Sequence, residues 1–257
     1  MANGNFTYLR HADNKSIAAT ITASTASSSY PVTNLNVLPL SKHWRSTGVT
    51  SENLQIDLGS ILSIDLMGIL NHNLTSAATI TVNGGSTANP NGSQYTTTIT
   101  YREFDAFKLL TATQTWRYWK FIFADTGNAD GYIRVGNLLL GDSTTLTFHW
   151  RNDGTFTDEF VNILTRSPGG SVYAENVYGV VSQRFQFGPL STANMATLRA
   201  LYRGLKGSAL PIFVIPEALI YDGYFGRFVN AFTRRLSSSE YTEVEFVEDG
   251  RGRSVAI

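Results

Sequence analysis

Apolar residues in the first half of this chain recur at every second position in short runs, and that period admits strands and little else. Leu54, Ile56 and Leu58 alternate with Gln55 and Asp57 until Gly59 closes the run. Further strands are expected over 18–23, 64–70, 78–82, 94–101, 104–110, 115–123 and 132–140. The run 64–70 is apolar at nearly every position, as in a strand covered on both faces. Between strands lie small polar loops, 24–29 and the Gly/Asn/Ser-rich 83–93. Strands at this spacing, without intervening helices, point to a sandwich or barrel.

A new alternation starts at Thr144 with Leu146, Phe148 and Trp150, so Gly141-Asp142-Ser143 reads as a boundary. Two domains follow, 1–142 and 143–257, both of ordinary domain size. A helix is expected over 191–206, with Ser191 as N-cap and Leu190 and Met195 placed as a staple. Its apolar face is Met195, Leu198, Leu201, Tyr202 and Leu205, and Gly207 is suited to the left-handed position that ends it. Strands then return over 210–216, 223–232 and 241–247.

Composition removes several functions. Lys plus Arg balances Asp plus Glu at 20 each, so no net field draws nucleic acid or an acidic membrane. Cysteine is absent, which excludes disulfides, zinc–thiolate sites and thiol nucleophiles. Residues 1–25 show no cationic segment followed by an apolar core, and no run is long enough for a transmembrane helix, so synthesis in the cytoplasm is expected.

Catalytic patterns are missing too. The histidines are His11, His43, His72 and His149, none at a metal-ligand spacing from a second ligand, so no metal is expected. Asn71-His72-Asn73 reads as a polar tie between a strand end and a neighbouring loop. No Gly-x-Ser-x-Gly elbow occurs, and neither an enzyme nor a cofactor is expected. Sugars stack on exposed rings, and Trp44, Tyr95 and Tyr30 fall in or near loops, which makes them the candidate carbohydrate-binding residues. Trp119, inside a strand, is assigned to the core.

The segments 30–35, 44–48 and 54–59, followed by 69–74, 117–121 and 130–138, resemble discoidin (coagulation-factor C-type) domains in order and spacing. Within that family they are most similar to the discoidin-like modules of tailed-bacteriophage tail proteins. The second half resembles minor and distal tail proteins, reading as strand (183–187), helix, strand (210–216), then 225–228 and 241–246. The resemblance implies a mainly β chain: an N-terminal discoidin-like (jelly-roll) β-sandwich followed by a tail-tube-like β domain with one α-helix. It further implies a structural subunit of the virion tail, a homo-oligomeric ring in the baseplate beside the tail tube and hub. Residues 211–216 or 250–257 are candidates for the ring contact. The alternative is host-surface carbohydrate binding through the discoidin-like domain. The polar loops 24–29 and 83–93 lack the apolar spikes of a membrane-inserting discoidin.

Overall fold

The computed structural model describes residues 5–149, 155–187, 190–216, 223–229, 233–234 and 242–248. The chain is mainly β, with one α-helix among the described residues. In order, the elements begin β1 (Asn5–Arg10), β2 (Thr20–Ala23), β3 (Trp44–Arg45), β4 (Glu52–Leu70), β5 (Thr79–Gly85) and β6 (Tyr95–Ile99). Next come β7 (Asp105–Ala124), β8 (Arg134–Val135), β9 (Asn137–Gly141), β10 (Thr144–His149), β11 (Thr155–Arg166) and β12 (Val172–Phe187). Helix α1 (Thr192–Gly204) precedes β13 (Ile212–Ile215), β14 (Tyr224–Phe228), β15 (Thr233–Arg234) and β16 (Thr242–Glu248).

Two compact units form, and the first eleven residues belong with the second half: one unit is 12–143, the other Met1–His11 with Thr144–Ile257. The expected boundary after residue 142 falls within one residue of the observed one, but the N-terminal segment crosses over. The reason is β1, which pairs with β10 (Tyr8 opposite Thr144) and with β13 (Leu9 opposite Phe213). Phe6, Thr7, Tyr8 and Leu9 are all buried, so this strand shows no alternation for the sequence to betray.

In the 12–143 unit a six-stranded antiparallel sheet runs β2-β4-β7-β5-β6, with β9 added to β4, and a two-stranded sheet pairs β3 with β8. The strands expected separately at 53–58 and 64–70 are one strand, β4, interrupted by register shifts against β7 around residues 58–61 and at Asp65. Gly59 supplies the positive φ of 76° at the first irregularity, and Asp57 Oδ1 accepts from its amide. Likewise 104–110 and 115–123 merge into β7. Both halves of β4 and β7 feed a single core: Leu54 and Ile56 with Ile64, Met67 and Ile69, around Trp119, Phe121 and Phe123. Trp44 and Val135 of the smaller sheet, with Ile133 just before β8, belong to the same core.

Buried Asn14 ties the start of this unit to its end. Its Nδ2 donates to the Leu138 carbonyl at 2.7 Å, and its Oδ1 accepts from the amides of Leu140 and Ser16. The latter contact caps a 3-10 turn over Lys15–Ala18, which shortens the strand expected at 18–23 to β2.

The other unit is an eight-stranded sheet in the order β10-β1-β13-β14-β16-β12-β11, with β15 beside β16. Helix α1 begins as expected, the Ser191 hydroxyl accepting from the Asn194 amide, and ends at Gly204, after which Lys206 at φ 53° and Gly207 at φ 69° both take the left-handed conformation. Leu198, Leu201 and Leu205 pack with Phe6, Phe185, Phe187 and Phe246 in this unit's core. β13 is wholly buried between β1 and β14, so residues 211–216 are an internal strand and not a ring contact. Trp150 and residues 250–257, the other proposed contact, lie outside the described residues.

Trp44 is 0% exposed, and its Nε1 donates to the Thr25 carbonyl at 2.9 Å. Trp44→Ala is expected to cost about 3–5 kcal/mol of stability, read from urea unfolding by circular dichroism. A loss below about 1 kcal/mol would contradict its core role.

Candidate functional site

The ladder that buries Trp44 turns its neighbour outward. Trp44 pairs with Val135 and Arg45 with Arg134. Side chains alternate along a strand, so the first pair enters the core and the second lies on the outer face. Trp44 and Val135 are buried, whereas Arg45 and Arg134 are half-buried. Two arginines directly opposite each other repel, and such a pair is a cost to the sheet unless something else satisfies it.

Aromatic rings receive part of that charge. The Arg45 guanidinium carbon lies 3.3 Å from the centre of the Tyr132 ring and 5.8 Å from that of Tyr30. Tyr30 in turn stacks on His43, ring centres 4.6 Å apart and planes 12° from parallel. His43 Nδ1 donates to the Ser41 carbonyl at 2.9 Å, which leaves Nε2 as the accepting nitrogen of the neutral ring. Burial holds His43 below the ordinary histidine value, and Arg134 and Arg45 add to this against the Ser41 bond, which raises it.

Backbone bonds preset these side chains. Ser27 N donates to Arg45 O, Tyr30 N to Ser27 O, and Arg45 N to Tyr30 O, sewing the 24–30 loop to β3. Glu52, buried on β4, anchors the same loop by accepting from the hydroxyls of Ser24 and Thr25. On the other side Asn73 Oδ1 accepts from Arg134 N at 2.7 Å, and its Nδ2 donates to Tyr132 O and to Asp130 Oδ2. The tie expected of Asn71-His72-Asn73 is therefore present. Asn71 Nδ2 donates to the Leu40 carbonyl while Asn73 fixes the Tyr132–Arg134 segment.

Of the three aromatics expected at a sugar site, Tyr30 lies in this cluster. Trp44 is corrected to the core: with no exposed face it offers no stacking surface. Tyr95 is partly buried on β6, its ring edge-on to Trp119 at 5.8 Å, and burial pushes its phenol above the ordinary value. Its strand partner Gly84 lies four residues along β5 from Ile80, the partner of the Phe123 that Trp44 packs on, or roughly 13 Å at strand rise. The structure thus leaves Tyr95 apart from the cluster. His43, Arg45, Tyr132 and Arg134 escaped the sequence reading. The available signal was Trp44 itself, because a buried ring on a strand turns both its neighbours outward.

No group of three His, Asp or Glu side chains that could hold a metal ion occurs among the described residues. No helix among them is long and apolar enough to cross a membrane.

No family model and no curated protein matches the chain. Solved structures do resemble it. A chitosan-binding module of a chitosanase/glucanase from Paenibacillus sp. IK-5 is 19% identical, at TM-score 0.41, over 50% of this chain and 98% of that one. The lectin domain of lectinolysin, solved with Lewis B antigen, is 12% identical at TM-score 0.42 over 53% and 100%. A Streptococcus pneumoniae fucose-binding module is 12% identical at TM-score 0.41 over 50% and 94%.

Arg134→Gln removes one of the cations that hold His43 down, so its pKa is expected to rise towards the ordinary value. Proton NMR titration of the His43 imidazole reads this directly. An unchanged or lower value would show that the two side chains do not share one field.

Proposed function

We propose that the 12–143 unit binds carbohydrate through Tyr30, His43, Arg45, Tyr132 and Arg134. The observation that carries this reading is a prearranged, half-exposed cluster in which rings and guanidinium groups are stacked and His43 Nε2 is left as an acceptor. Sugar rings offer apolar C–H faces to aromatic planes and a rim of hydroxyls to polar edges. Tyr30 and Tyr132 supply the planes, the arginines supply forked donors, and His43 Nε2 supplies an acceptor. The loops carrying these groups are already bonded in place, so little ordering opposes binding.

The remainder of the chain supports a second reading, that of a ring-forming structural subunit at a phage tail tip that carries this unit on the virion. What favours assembly is the β11–β12 hairpin. Near its turn Ile163, Leu164, Val172 and Tyr173 are 53%, 68%, 52% and 66% exposed, and β11 is an edge strand. Apolar clusters of this kind are commonly covered by a partner. Light scattering after size exclusion should then give the mass of a closed oligomer, and a monomer at all concentrations would contradict assembly through this chain alone.

The carbohydrate reading is tested by binding to immobilised bacterial wall polysaccharides. Arg45→Ala and Tyr132→Ala are expected to weaken binding by about tenfold or more, while Tyr95→Ala leaves it within about twofold. Full binding by both cluster variants would overturn the assignment.

A further inference from the structure

The Arg45–Arg134 pair has charge to spare. Arg45 and Arg134 stand opposite each other in the β3–β8 ladder, where facing side chains begin about 5 Å apart. Neither is ion-paired with a carboxylate among the described residues. Asp130, on the loop that leads into β8, is engaged instead by Asn73 Nδ2 at 2.8 Å. Glu52, under the facing loop, is occupied by the hydroxyls of Ser24 and Thr25. Two facing cations without a carboxylate have an oxyanion as their natural complement, since it accepts from the guanidinium groups of both and offsets their repulsion.

We infer that the saccharide taken at this site is acidic, bearing a carboxylate or phosphate that sits between Arg45 and Arg134. The inference rests on the carbohydrate-binding reading and adds the chemical class of the ligand. In this arrangement Tyr30 and Tyr132 flank the sugar ring, the oxyanion meets the terminal amino groups of the half-buried Arg45 and Arg134, and neutral His43 accepts from a hydroxyl. A neutral sugar would leave the arginine pair uncompensated.

The experiment presents galactose and glucose, the corresponding uronates and the corresponding 6-phosphates on one linker to the full chain. At least one acidic saccharide is expected to bind about tenfold or more tightly than its neutral counterpart. Whether the uronates or the phosphates are preferred identifies the source of the oxyanion. Binding should weaken as NaCl rises from about 0.05 to 0.5 M. Arg134→Gln should abolish the preference, and Arg134→Lys, which keeps the charge but not the fork, should retain part of it. Neutral sugars bound as well as acidic ones, with dependence on Arg45 and Tyr132 intact, would overturn the inference and leave carbohydrate binding standing. Binding of no saccharide by a folded protein would overturn both.

Discussion

Two residues on each side of one short ladder organise the 12–143 unit. Pairing Trp44-Arg45 with Arg134-Val135 places a tryptophan and a valine in the core, and the strand period then leaves two arginines facing outward. Burial of Trp44 and Val135 fixes the register, and that register sets the two arginines opposite each other on the outer face. The loops bearing Tyr30, His43 and Tyr132 are fastened to the same ladder, by Arg45 on one side and Asn73 on the other. The proposed site and the core thus share one set of contacts.

How much of this was legible depends on how far apart the partners lie. Helix α1 could be read because its cap, apolar face and terminal glycine are local. The core role of Trp119 was visible from the alternation of its strand. The burial of Trp44, a candidate for the sugar site, was not legible because a two-residue strand has no period of its own, and only its distant partner β8 reveals it. Arg45 and Arg134 are ordinary surface residues until the ladder brings them together. Asp57, Gly59 and the register shifts of β4 likewise turned one bent strand into two apparent ones.

The crossing-over of the N-terminus changes the chain's organisation. The 12–143 unit is inserted between β1 and β10, neighbours in the other unit's sheet, whose antiparallel pairing brings the two ends of the insert together. Asn14 repeats that closure within the insert by bonding to Leu138 and Leu140 on β9. An insert with adjacent ends can be accommodated without disturbing its host.

The most direct test of this account follows the arginine Nε–H signals by nitrogen-edited NMR while an acidic saccharide is titrated into the protein. The Arg45 and Arg134 signals are predicted to shift together with those of His43 and Tyr132, while Tyr95 and the ion pair that joins Arg117 on β7 to Asp57 on β4 at 2.7 Å stay still. Saturable binding that moves β6 or Arg117 and leaves Arg45 and Arg134 unmoved would contradict it.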